Sequence, residues 1–203
     1  MTSPEPLLSA AELVEFTGGR LNAATPGLQR RLDAALGALR AHCGWLPFPV
    51  REETLTLSTY GQRPLLLPTL KLLELRELTV LGKAVPVENV EWDENGVLYR
   101  PSPDYQYGLP VQRYPWPDRL RSVTVKFRHG FEPEEVAELV GSVFDVASRS
   151  VVNPFGRTGY KVGERQENFA VGAGGRVTGA RPLGDDLALW DAYALGTRTT
   201  EGG

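Results

Sequence analysis

Between Leu28 and Cys43 the apolar positions Leu28, Leu32, Ala35, Leu36, Leu39 and Cys43 recur at helical spacing, with Arg30, Arg31, Asp33 and Arg40 set away from them. That pattern lays one buried stripe along a helix. Thr25-Pro26 supplies an N-cap and a proline at the first helical position, and Gly44 closes the other end, so the helix is expected over 26–43. A shorter helix is expected over 9–17. There Ser9 and Glu12 can form a capping box, Leu8 and Leu13 the hydrophobic staple, and Gly18-Gly19 the stop.

From Trp45 the period changes. Glu53-Thr-Leu-Thr-Leu-Ser-Thr59 alternates strictly, so Leu55 and Leu57 should face one side of a half-buried strand. Leu65-Leu66-Leu67 and the run Leu70 to Leu81 continue the β region, although Lys71 to Leu78 also fits a turn or two of helix. Asn95-Gly96, between Val90-Glu-Trp92 and Val97-Leu-Tyr-Arg100, predicts a hairpin with a type I′ turn, which needs positive φ at both central residues. Ser122-Val-Thr-Val-Lys-Phe127 is the last alternating strand. The Pro-, Tyr- and Trp-rich stretch 101–118 reads as an ordered loop.

The helical period then returns. Pro133 opens a third helix over 133–151, Glu134 and Glu135 suit its positive end, and Val136, Leu139, Val140, Val143, Phe144, Ala147 and Val151 form a wide stripe that Asn153-Pro154 ends. Residues 155–181 are glycine-rich with few core formers beyond Tyr160, Val162, Phe169 and Val171, too long for a plain connection; they are read as an extended arm that is either mobile or ordered by another molecule. A last helix over 185–195 should place Leu187, Trp190 and Ala194 on one side, followed by a flexible tail at 196–203. The expected fold class is α+β. A small helical bundle, with residues 9–44 and 132–152 as its core, carries an antiparallel β insertion over about 52–128 within a single domain spanning 1–203.

Composition narrows the function. The chain has 203 residues, 41% hydrophobic and 23% charged, with a net charge of −3, which suits a soluble globular protein and provides no global attraction to phosphate backbones or anionic membranes. No stretch approaches the length of a membrane span and the start of the chain lacks signal-peptide character, so the expectation is a cytosolic protein. Cys43 is the single cysteine, which forbids an internal disulfide and fits a reducing compartment.

No spacing organises an active site. His42 and Cys43 are helix neighbours whose side chains diverge by about 100° and cannot act as base and nucleophile on each other. His129 has no second histidine or cysteine at metal-ligand spacing and reads as a turn or interface residue. Asp93-Glu-Asn-Gly96 lacks the ligand alternation of a calcium loop. Val171-Gly-Ala-Gly-Gly-Arg176 lacks the Lys-Ser/Thr of a phosphate loop, and Asp185-Asp186 suits a helix start. Arg119, Arg121, Lys126 and Arg128 read as a solvated strand face, since no aromatic ladder accompanies them. Scattered acids such as Asp104, Glu132 and Asp145 have no fixed spacing that would make an enzyme. No cofactor, metal or catalytic residue is expected.

The order of these features is recognisable. A short capped helix precedes a long helix ending in His42-Cys43-Gly44-Trp45, then strands, Asp104-Tyr-Gln-Tyr-Gly-Leu109, Trp116-Pro117, and His129-Gly130-Phe131-Glu132-Pro133 before the long third helix. Over residues 9–195 this resembles the head-to-tail adaptor, or head completion and connector, proteins of long-tailed bacteriophages, the actinobacterial type in particular. The resemblance implies a ring of twelve copies beneath the portal protein in the virion neck. Such a ring is assembled in the host cytoplasm, offers its lower surface to a downstream connector or stopper, and passes DNA without reading it. It implies no enzyme and no membrane. By position, Tyr160, Val162, Phe169 and Val171 would anchor the arm on a neighbouring subunit, and Trp190 and Tyr193 would contact the portal. Another neck subunit (stopper or tail terminator), a nucleic-acid-binding protein and a small enzyme are the alternatives.

Overall fold

The computed structural model describes residues 6–100, 114–152, 159–162, 165–168 and 181–196, with backbone alone for 159–162 and 165–168. It divides into two compact units, one formed by residues 1–46 and 133–194, the other by 47–132 and 195–203. Among the described residues the architecture is α+β: four α-helices and antiparallel sheets. No helix among the described residues is long and apolar enough to cross a membrane.

The helical unit begins with α1 (Ala10–Phe16), whose capping box forms as expected between Ser9 and Glu12, with Leu8 and Leu13 buried. Helix α2 (Leu28–Cys43) starts two residues later than predicted: Pro26 lies in the preceding turn, and the N-cap is Gly27 in the left-handed conformation. Every residue of its predicted stripe, Leu28 through Cys43, is buried, and Gly44 at φ 78° ends it. Helix α3 (Ala137–Val152) begins after a turn at Pro133 rather than at the proline itself. It packs along α2 within the helical unit. Its buried face includes Ser142 and Ser150, which the apolar pattern omitted; their hydroxyls donate to the carbonyls of Leu139 (2.8 Å) and Ala147 (2.6 Å), which satisfies them in the core.

In the β unit, β1 (Arg51–Tyr60), β7 (Asp118–His129), β3 (Leu72–Val80) and β4 (Lys83–Val85) form one antiparallel sheet in the order β1-β7-β3-β4. A smaller sheet contains β2 (Pro64–Leu66), β6 (Val97–Tyr99) and β5 (Glu91–Trp92). Leu75, Leu78, Val123, Val125 and Phe127 from the first and Leu65 and Leu98 from the second share one core with Trp116, and Leu55 and Leu57 pack against it.

The run that fitted either helix or strand is β3. Its buried residues Leu72, Leu75 and Leu78 are three apart because two bulges slip the register against β7, between Leu72 and Glu74 and again between Leu75 and Glu77. Each bulge inserts one unpaired residue, converting period two into period three. The hairpin at Asp93–Gly96 also differs in detail. Only Gly96 has positive φ (77°), and its N–H donates to the Asp93 carbonyl at 3.1 Å, so a turn closed by one left-handed glycine replaces the type I′ turn. A Cβ on Gly96 would lie 2.8 Å from Thr69 Cγ2, which fixes glycine there for space as well as for φ.

Within the predicted arm, β8 (Gly159–Val162) and β9 (Arg165–Asn168) pair antiparallel as a local hairpin, with Tyr160 opposite Glu167 and Val162 opposite Arg165. These strands therefore carry local structure that the glycine content hid. Helix α4 (Gly184–Asp191) is shorter than the predicted 185–195. Its buried residues are Asp186 and Trp190, whereas Leu187, expected on the buried side, is 36% exposed. The physical reason is an ion pair: the Asp186 carboxylate accepts from Arg149 of α3 and from the Leu183 N–H (2.6 Å), which rotates 186 and 190 inward.

Candidate interaction surfaces

Six residues are expected at interfaces from the sequence, and their places differ. Tyr160 and Val162 lie in β8, where each already has a backbone partner across the hairpin. Phe169 and Val171 fall outside the described residues. Tyr193 is half-buried after α4, and its carbonyl accepts the Trp45 indole N–H at 2.7 Å. Trp190 is 0% exposed, and its indole N–H donates to Ser142 Oγ at 2.8 Å. An indole with no accessible surface cannot touch a portal, so Trp190 is a core residue of the helical unit.

The residues that could carry chemistry are likewise explained by packing. The Cys43 thiol is buried 3.5 Å from the Trp190 carbonyl, and burial, helped by the Asp191 charge, pushes its pKa up to about 11. The thiolate is the nucleophile, so folded Cys43 should resist alkylation at pH 8 and react fully once the chain is unfolded. Mass spectrometry of iodoacetamide-treated samples, native and in denaturant, checks this. Its neighbour His42 also reaches α4, with Nε2 2.7 Å from Asp191 Oδ1.

His129 is neither a turn nor an exposed interface residue. It ends β7 on the face that also carries Val123, Val125 and Phe127, and it is wholly buried. Strict alternation from Val123 predicts that inward position, a signal overshadowed by Gly130 beyond it. Its Nε2 lies 3.0 Å from Glu53 Oε2 on β1, and Arg51 is 3.5 Å from the same carboxylate. Burial first, then the nearby Arg51 cation, holds the imidazole below its ordinary value of 6.5, against the pull of Glu53. The folded state therefore disfavours the protonated ring. Stability from this site is complete above pH about 6.5 and declines as pH falls through the depressed folded value. His129→Gln should flatten that acid-side loss in urea midpoints measured between pH 7 and pH 5.

The basic residues of β7 split into two groups. Lys126 sits between Glu52 (3.2 Å) and Glu77 (3.3 Å), and Arg76 between Glu52 (2.5 Å) and Glu74 (3.1 Å). Arg128 lies 3.7 Å from Glu132. This outer face of the sheet is a neutralised ion-pair lattice, with the Lys126 hydrogen bond as the main reason that the Glu52 pKa is lowered. Arg119 and Arg121 are exposed and have no carboxylate partner among the described residues. Of the scattered acids, Glu132 is in the β unit, Asp145 is in the helical unit with its pKa raised by burial, and Asp104 lies outside the described residues. No group of three or more His, Cys, Asp or Glu that could hold a metal occurs among the described residues.

Strand β1 pairs with β7 alone and is the outer strand of its sheet, so one side of a ten-residue ladder stands open among the described residues.

No protein-family model and no curated protein matches the sequence. Solved structures do match in fold. A chain from the neck of a native GTA (gene transfer agent) particle, computed with C12 symmetry, superposes with a TM-score of 0.55 at 15% identity, covering 100% of this chain and 96% of that one. A chain from the neck of an empty GTA particle, computed with C6 symmetry, gives 0.53 at 18% identity with the same coverage. A chain of the native GTA virion gives 0.51 at 16%, again covering 100% of this chain and 96% of that one. Over its whole length, this chain shares the fold of chains that belong to a symmetric particle neck.

Proposed function

We propose that this chain is a structural subunit of a virion neck. In this reading it is a head-to-tail adaptor that assembles as a twelve-membered ring beneath the portal, joins the DNA-filled head to the tail connector or stopper, and lets DNA pass. The observation that carries the proposal is the fold shared across 100% of the chain with chains of necks computed under C12 and C6 symmetry. The site chemistry supports it: Cys43, His129 and Trp190 are each accounted for by packing, and the lysine and arginine of the outer sheet face are neutralised by carboxylates.

Around such a ring each contact is heterologous, one surface of a copy meeting a different surface of the next. The arm, through Tyr160, Val162, Phe169 and Val171, reaches a neighbouring copy, and the open edge of β1 is a ready acceptor for strand addition. Contact of the α4 region with the portal passes through Tyr193 and the exposed Leu187, since Trp190 is enclosed. The chain works in the neck and is assembled in the host cytoplasm.

The test is to mix the purified chain with the portal ring of its own particle and image the product by electron microscopy. Added ring density at the portal's outer end is the expected result. Density elsewhere in the tail assigns a stopper or terminator instead. A chain that binds no portal, and whose particles assemble normally without residues 155–181, overturns the proposal.

A further inference from the structure

The two ends of β3 carry opposite character. At its C-terminal end the Leu81 N–H donates to the Ser122 carbonyl (2.7 Å), and Leu81, Gly82 and Arg119 to Ser122 line a shallow cleft. Three large apolar side chains are exposed on this tip: Tyr60 at 70%, Leu120 at 66% and Leu81 at 52%. Arg119 and Arg121, which have no carboxylate partner among the described residues, stand among them. The backbone is strained at the same place. Leu81 (φ 52°) and Arg121 (φ 50°) are the non-glycine residues with positive φ among the described residues. Arg121 belongs to a bulge in which β1 residue Ser58 spans the β7 segment between Arg119 and Val123, and the Arg121 N–H donates to Ser58 Oγ at 3.0 Å. Left-handed leucine and arginine persist only where the surroundings enforce them, and such strain gathers at contact sites.

At the N-terminal end of β3 the Leu72 N–H donates to the Glu94 carbonyl (2.6 Å), which fastens the β5–β6 hairpin there. The hairpin and the short turn that leads into it are acidic: Glu88, Glu91, Asp93 and Glu94 are exposed, with Lys71 Nζ 3.4 Å from Glu94, and Trp92 supplies apolar surface at 40% exposure. At about 3.3 Å per residue, β3 separates the two surfaces by roughly 25 Å.

We infer that the basic, apolar tip formed by Tyr60, Leu81, Arg119, Leu120 and Arg121 docks on the acidic, Trp92-bearing hairpin of a second copy of this chain. A partner of another kind would need only one of these surfaces. Two complementary surfaces at opposite ends of one strand are what head-to-tail association between identical copies requires. The exposed leucines favour a protein partner over a phosphate backbone, which the arginines alone would also attract.

The inference deepens the ring reading and rests on it, and the two fail differently. Analytical ultracentrifugation of the full chain from about 1 to 500 μM should show self-association that weakens with salt, as steering by opposite charges demands. Arg119→Glu with Arg121→Glu should weaken it by about 100-fold or more, and Glu88→Arg with Glu94→Arg should do the same. A mixture of the two variants should associate again, because the native acidic hairpin of the tip variant meets the native basic tip of the hairpin variant and the two reversed surfaces also complement each other. Wild-type chain that stays monomeric throughout, or reversal variants that associate like wild type, overturns the inference. So does a tip variant that loses salt-sensitive binding to duplex DNA yet keeps its self-association, which would assign the tip to nucleic acid. If reversal variants still build the ring on a portal, this inference fails and the neck reading stands. If tip and hairpin pair as described but no portal is bound, the neck reading fails.

Discussion

Replacing Trp190 with alanine should destabilise the helical unit by about 3–5 kcal/mol, the largest effect expected of any single truncation here. The indole is fully enclosed in a core that includes Cys43 and Leu139, and it holds Ser142 through its N–H. Removing it leaves a cavity the size of an indole, and the surrounding helices can close it only in part. Exposure at a portal interface would predict the opposite, a near-neutral change in the isolated chain. Trp190→Phe separates packing from polarity: most of the volume remains and one buried hydrogen bond is lost, at about 1 kcal/mol. Hydrogen exchange at α2 and α3 amides, with urea midpoints followed by circular dichroism, reads both variants.

Gly130→Ala should cost about 2–4 kcal/mol, through strain and collision together. Gly130 sits at φ 108°, where an L side chain is disfavoured. A Cβ there would meet the Pro49 carbonyl at 3.0 Å, the Pro47 carbonyl at 3.2 Å and Val50 Cα at 3.2 Å. These are backbone atoms, with the Pro47 carbonyl held by the Phe131 N–H (2.8 Å) and Gly130 itself held by its N–H bond to the Lys71 carbonyl (2.9 Å), so no side-chain movement relieves the contact. Gly82→Ala is the control, with φ 78° and no atom within 4 Å of the added Cβ. It should cost only the conformational part, about 1 kcal/mol. The difference between the two urea midpoints measures the steric part.

Gly130 also shows why the His129-Gly130-Phe131-Glu132-Pro133 run is informative in the sequence, because every member of it is structurally constrained. His129 is buried against Glu53, Gly130 passes between backbone segments, the Phe131 N–H is fixed, Glu132 pairs with Arg128, and Pro133 precedes the turn into α3. Helices with one apolar stripe are legible because burial on a single face imposes the 3.6-residue period, as α2 shows at every stripe position. Strand β3 is ambiguous because its bulges erase the period that identifies strands. On α4 the apolar count places Trp190 inward as found but misplaces Leu187, because Asp186, paired with Arg149, takes the buried position beside Trp190. Trp190 reads as a contact residue from its place in the last helix, although it shares a predicted side with Leu187 and Ala194, because spacing alone does not say whether that side is enclosed. The tip at Leu81 and Leu120 is invisible for a different reason. Positive φ at leucine and arginine is imposed by the bulge and the sheet around it, and no local sequence preference announces it.

The proposed place of the chain in a particle neck can be read in the assembled particle itself. A gold or antibody label attached to this chain in assembled particles, followed by reconstruction of the neck, should show the label as one ring of twelve between portal and tail. Label found only on the capsid shell or along the tail, or particles that lack the chain altogether, would contradict the account.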